Sequence, residues 1–356
     1  MRNLSIRKYL SSKIVWLYLI SGGLLLGTSL LGLFYSSVII PIPTILHIIL
    51  DKTINMGWLD EVAKNEEMII WNIRLPRVLL AFCVGAALSL AGAAFQGLLR
   101  NPLADPYTIG VSSGASLGAV LVLFFQVTIF GLGNFTLPVV SIFSGLIALL
   151  VVFGLVRLSS KSLAIETIIL AGIIVSAFIS ALVSLLISLG DRDAMTQIIY
   201  WLYGSVGMRG WSYVQLIIPF MIIGSIVLFY FYRELNALAL GEDAADHIGV
   251  DVKKGKTFVL IGASLLTGAA VAVSGSIGFV GLVIPHLIRL VTGPNHRHVL
   301  PLSLIMGGAF LILADLMART MIAPKELPIG VITALIGAPV FALLLIRERL
   351  GRGTNK

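Results

Sequence analysis

Residues 78–98 read VLLAFCVGAALSLAGAAFQGL. No charged side chain interrupts the run, and as a helix rising 1.5 Å per residue it is about 30 Å long, the depth of a bilayer's hydrocarbon core. Working outward, comparable stretches recur at about 14–36, 77–98, 108–127, 137–156, 166–188, 212–232, 257–273, 277–292, 299–318 and 329–347. With 58% hydrophobic residues, only 12% charged and a mean hydropathy of +1.02, the chain carries more apolar surface than one soluble core could bury. Runs such as Ile14 to Phe34, Val139 to Val156 and Trp211 to Tyr232 do not alternate as barrel strands must. Helices satisfy their own backbone groups in lipid. The expected fold is an all-α integral membrane protein with about ten transmembrane helices and no separate soluble domain.

An even number of spans places both termini on one face. Set in the cytoplasm, the inner segments hold most of the 25 Lys and Arg residues, as the positive-inside rule requires. The net charge of +8 is then a topology signal, and no nucleic-acid partner is expected. Arg2, Arg7, Lys8 and Lys13 precede the first span, whose length and lack of a small-x-small site mark an uncleaved helix. Cys83 is the only cysteine, which excludes an intrachain disulfide and a cysteine metal cluster. Neither a metal site nor a catalytic residue is expected.

Three loops are long enough to act. The outer segment Pro41 to Pro76 carries an acidic patch, Asp60, Glu61, Glu66 and Glu67. A second outer loop, Asp191 to Trp211, holds Tyr200, Trp201 and Tyr203, aromatics that suit a membrane interface. The third, about 233–256, is cytoplasmic. Its acids Glu242 and Asp243 just after Gly241 suit a helix N-terminus, and Gly249 suits a helix stop, so a short helix is expected on the inner face. Gly255-Lys256-Thr257 imitates the end of a phosphate loop, but Gly249 precedes it at the wrong spacing and no strand leads into it. ATP binding by this chain is not expected, and Lys256 reads as an inner-surface topology charge.

Within the spans, central carboxylates and histidines are lacking, which disfavours proton coupling and points to energy from another subunit. An ion-coupled secondary transporter is the alternative of another class. Glycine is the recurrent intramembrane residue, with Gly85, Gly92, Gly110, Gly114, Gly278 and Gly281 at spacings that put small residues on one helix face. Helix packing is the plain reading, and lining a path the other. Two arginines in Arg74-Leu-Pro76-Arg77 open the second span, and Arg319 closes the ninth, all on the outer side against the inward bias. They either snorkel and pair locally, Asp315 with Arg319 and Glu66 or Glu67 with Arg74, or dock an acidic partner through Arg–carboxylate pairs.

Arg74-Leu-Pro-Arg77, the glycine-rich run Gly85 to Gly97 with Gln96, Asn101-Pro-Leu-Ala-Asp105-Pro and Gly110-Val-Ser-Ser-Gly114-Ala together resemble the FecCD-type permeases for iron-siderophores and vitamin B12. Gly278 through Gly281 and Pro285 to Arg289, Ala314-Asp315-Leu-Met-Ala-Arg319, and Glu326-Leu-Pro328-Ile-Gly330 on to Phe341 resemble the same family. The likeness covers nearly the whole chain beyond the first 40 residues.

The resemblance implies the vitamin B12 importer permease fold, a single domain over 1–356, and a bacterial inner-membrane subunit that is not itself an enzyme. It implies a second permease subunit, two cytoplasmic ATPases that bind ATP and Mg²⁺, and an extracytoplasmic binding protein. Arg74, Arg77 and Arg319 correspond to the family's docking arginines. Leu238, Gly241, Glu242, Asp243, Ala244, Ala245 and Gly249 fall in its coupling segment, with both alanines facing or flanking the ATPase, and Leu163 to Thr167 fall in its gate region. The expected cargo is an iron-siderophore complex, with cobalamin or haem as alternatives.

Overall fold

The computed structural model describes residues 2–35, 40–54, 64–159 and 164–353. Asp60, Glu61 and Leu163 lie outside the described residues. Among the described residues, seven helices are long and apolar enough to cross a membrane, and three shorter apolar helices, Val111–Phe125, Val280–Thr292 and Ile329–Leu344, accompany them. The ten expected spans are all present as helices, and the described regular structure is helical throughout.

In chain order, α1 (Arg2–Phe34) is followed by the short α2 (Ile42–Ile54). A turn of helix, α3 (Lys64–Met68), runs through a π-helical stretch, Ile69–Arg74, into α4 (Leu75–Leu98). Pro76 explains the join. It has no N–H for the i−4 carbonyl, so the wider ladder upstream gives way to α-helix at Leu75; the helix that the sequence starts around Pro76 in fact continues back to Lys64. Then come α5 (Val111–Phe125), α6 (Thr136–Ser159) and α7 (Ile165–Leu189). Next are α8 (Arg192–Leu202), α9 (Gly210–Tyr230), α10 (Tyr232–Leu238) and α11 (Glu242–His247). The chain closes with α12 (Val252–Ser274), α13 (Val280–Thr292), α14 (His296–Thr320) and α15 (Ile329–Gly353).

The run that decided the fold is also its axis. α4 is buried along almost its whole length and packs against α14, α12, α13 and α9. Small residues make that possible. A Cβ on Gly85 would overlap the Gly307 carbonyl, and one on Gly92 would overlap the backbone of Gly281, so α14 and α13 lie against α4 at backbone distance. By contrast α7 presents Leu170, Ile174, Phe178, Leu185 and Leu189 outward, the pattern of a helix facing lipid or another subunit.

Two expectations change. The outer loop Asp191 to Trp211 contains a helix, α8, whose start is capped by Asp191 accepting from the Ala194 amide at 2.7 Å. Of its aromatics, Tyr200 and Tyr203 are exposed, but Trp201 is buried against Ala115, Ala119 and Val271. It anchors α8 on the core and is no interface residue. Second, α13 spans only 13 residues, about 20 Å of helix. The backbone between Gly275 and Phe279 is therefore irregular at depth, and it is tolerated because protein surrounds it. Ser205 N–H donates to the Ser274 carbonyl at 2.7 Å, and the Ile277 amide donates to the Tyr107 hydroxyl at 2.7 Å.

Candidate functional site

At the outer end of α4 and α14 three arginines and two carboxylates come together. Arg77 donates from Nε and Nη2 to Asp315 at 2.9 to 3.1 Å, and from Nη1 and Nη2 to Glu326 at 2.9 and 3.0 Å. Asp315 is almost fully buried, whereas the Glu326 side chain is 51% exposed. Arg74, 2% exposed, donates to the carbonyls of Leu33 and Phe34 at 2.7 and 3.2 Å, closing the C-terminus of α1. Arg319 donates to the Gly32 carbonyl, and its Nε lies 3.8 Å from Asp315 without a hydrogen bond among the described residues.

Of the local pairs read off the sequence, Asp315 with Arg319 is present as an ion pair at 3.8 Å, but Arg74 is not paired with Glu67. Asp315 takes its hydrogen bonds from Arg77, far away in the chain, in preference to its helical neighbour Arg319. Glu67 pairs with Lys52 at 2.6 Å and leaves Arg74 to backbone carbonyls. The cluster still holds three cations against two anions. Bidentate pairing to Arg77 keeps the exposed carboxyl of Glu326 below its ordinary value of 4.5.

At the inner end lie α10 and α11. Gly241, at φ +118°, admits the turn between them, and Gly249, at φ +84°, ends α11 where the sequence placed the stop. The Gly249 amide donates to Asp246 and that of Val250 to Ala245, which satisfies the last carbonyls. Leu238 and Ala245 are buried, while Asp243 and Ala244 are exposed. Ala245 thus packs on this chain and not toward a partner. α11 itself exposes Asp243, Ala244, Asp246 and His247, and two exposed apolar residues flank its ends, Leu240 at 72% and Ile248 at 64%. Lys256 is buried and holds Glu242 at 2.5 Å, so it is a strut under α11 and no free surface charge. Gly255-Lys256-Thr257 lies inside α12, where no loop wraps a phosphate.

The intramembrane positions divide by role. Gly85, Gly92, Gly114 and Gly281 are at backbone contact distance from neighbours. Gly110 caps α5 at φ +90°. Gln96, buried, donates to the carbonyls of Gly281 and Leu282 at 3.2 and 3.0 Å and accepts from Arg289 at 2.5 Å, which makes it a polar joint between α4 and α13. Pro285 is buried inside α13. Gly278 alone of this set meets open space. With Tyr203, Ser276, Phe279, Gly330 and Leu335 it lines an uncharged recess of about 420 Å³.

Sequence reading passed over three contributors. Tyr107 holds the break before α13, Leu240 and Ile248 form the inner apolar surface, and Glu326 occupies Arg77. Glu326, Leu240 and Ile248 lay in stretches already singled out, and Tyr107 did not.

The FecCD transport family profile matches residues 24–347. An uncharacterised ABC transporter permease of Bacillus subtilis strain 168, YvrB, is 52% identical over 337 residues, 94% of each chain. The hemin transport system permease HmuU of Yersinia pestis is 43% identical, covering 79% of this chain and 84% of its own. Among solved structures, an inward-facing candidate metal-chelate type ABC transporter superposes with a TM-score of 0.80 at 35% identity, over 94% of this chain and 98% of that one.

Proposed function

Because this chain belongs to the FecCD transport family, we propose that it is the membrane-spanning permease subunit of an ATP-binding cassette importer that moves an iron-siderophore complex. In this reading two permease subunits, identical or related, flank a path. An extracytoplasmic binding protein docks at the cluster of Arg74, Arg77 and Arg319 and releases its cargo into the path, and two cytoplasmic ATPases engage α10 and α11. ATP and Mg²⁺ belong to those ATPases, and this chain does no chemistry. Both termini are cytoplasmic, in a bacterial cell membrane.

One observation carries the reading. A cationic cluster and an exposed apolar knuckle occupy opposite ends of a single buried core, α4 with α12 and α14. A signal arriving at one end reaches the other through helices packed at backbone distance. The uncharged recess beside Gly278 supports a cargo whose metal is already wrapped in a chelate. Cobalamin or haem is the second reading, favoured by the named cargoes of relatives such as HmuU and the Halobacterium salinarum cobalamin permease BtuC, 42% identical.

The test is uptake into proteoliposomes holding the assembled complex, with ferric siderophores, cobalamin and haem offered separately. Uptake should require ATP, Mg²⁺ and the binding protein and ignore ion gradients. Accumulation by this chain alone under a proton or sodium gradient would install the secondary-transporter reading instead.

A further inference from the structure

The hydrogen bonds on Arg77 leave little room for an incoming carboxylate. A guanidinium has five N–H donors. Four are engaged, Nε and one Nη2 proton by Asp315 and the other Nη2 proton with one Nη1 proton by Glu326. Asp315 is sealed in the core, so it stays. Glu326 is half exposed, in the short segment between α14 and α15, and it occupies the outward edge of Arg77 in the two-bond geometry that an acidic side chain of a partner would adopt.

Resting on the docking reading above, we propose that Glu326 is an internal substitute for the docking partner's carboxylate, and that docking exchanges the one for the other on Arg77. Arg319 lies behind this pair, its buried Nε 3.8 Å from Asp315 and without a hydrogen bond among the described residues, so it meets an incoming acid only after Glu326 has moved. Displacement of Glu326 then loosens a stitched segment. The Leu327 amide donates to Ala318, that of Ile329 to Gly204 and that of Gly330 to Tyr203. Gly204 in turn abuts Ser276 and Ile277, and Gly207 lies against Glu326 and Arg77. One of those hydrogen bonds joins Gly330 to Tyr203, and both residues line the recess beside Gly278. Glu326 is thus a positioning residue that keeps the outer mouth closed until an acid replaces it.

The experiment uses the complete importer in nanodiscs and the binding protein that copurifies with it. Glu326→Gln removes the competing charge and should tighten binding roughly ten-fold, the scale of a hydrogen bond to a charged group. Glu326→Ala serves as the second variant. General charge repulsion predicts a gain that fades as salt rises from about 0.1 M to about 1 M, whereas exchange predicts a ratio of affinities that persists. In a Cys83→Ser background, a fluorophore at Lys325→Cys should report the same change in Glu326→Gln alone as the binding protein induces in the parent. Unchanged or weaker binding by both Glu326 variants, with Arg319→Gln still weakening it, overturns the exchange and leaves docking intact. If Arg319→Gln has no effect either, docking itself fails and the exchange with it.

Discussion

The outer and inner ends of the α4 core are both polar breaks in an apolar body, yet they handle exposure in opposite ways. Outside, the charged side chains are turned inward. Arg74 closes α1, Arg77 clasps Asp315 and Glu326, and Arg319 reaches back to Gly32. Inside, the struts are buried and the contact surface is presented, with Lys256 on Glu242 below and Leu240 and Ile248 above. In the proposed assembly, the inner surface meets a resident ATPase and can be left ready, whereas the outer one meets a binding protein that comes and goes and is compensated internally meanwhile, because an unpaired buried charge is costly.

The sharpest way to break this contrast is Arg77→Glu. It leaves Asp315 buried opposite a second carboxylate, and a broken buried pair costs about 3–5 kcal/mol. The expected outcome is a steep loss of folded permease by detergent-solution melting and gel filtration. Arg319→Gln, which spares the Asp315 clasp, should lose binding-protein affinity with little change in melting. Equal stability of Arg77→Glu and the parent would show that the clasp is incidental.

Next in size is Gly92→Ala, which asks whether the two ends are joined rigidly. Its new methyl would meet the Gly281 backbone, and overpacking of this kind costs about 1–3 kcal/mol. Substrate-stimulated ATPase should fall more than basal ATPase, since α13 would be pushed off α4. A variant with parental stimulation would mean that contact carries no signal.

These contacts also mark what could be read before the structure. The ten spans and the stop at Gly249 were legible because hydropathy and a positive φ are local properties of a few neighbouring residues. The Arg77–Asp315 pair was not, since its partners are 238 positions apart and a helical neighbour, Arg319, offered a closer match in sequence. Burial at the inner end was equally hidden. Ala244 and Ala245 are identical in composition, and only tertiary packing turns one out and the other in. α8 escaped because its apolar face covers a few residues between two much stronger spans.

That alanine pair gives the third prediction. Ala245→Trp places an indole where no space exists and should cost about 1–3 kcal/mol in stability. Ala244→Trp alters only exposed surface and should shift stability by about 0.5 kcal/mol or less while lowering coupled ATPase activity. If Ala244→Trp leaves coupling intact in the assembled complex, α11 is not the ATPase contact.

The last prediction expects no change at all in nucleotide affinity and is the most discriminating for the energy source. Gly255-Lys256-Thr257 looks like a nucleotide motif, but its lysine is spent on Glu242 inside the chain, and its backbone is helix whose amides are already engaged with carbonyls. Lys256→Ala should weaken α11 docking by about 1 kcal/mol, because Glu242 is partly solvated and relaxes toward water once its partner is gone. Hydrogen exchange in 242–249 would register that loosening. Nucleotide affinity of the assembled complex should not move, since the ATP phosphates are held by other subunits in the proposed assembly. A ten-fold or greater fall in ATP affinity, with α11 exchange unchanged, would place the nucleotide on this chain and reverse the division of labour between permease and ATPase.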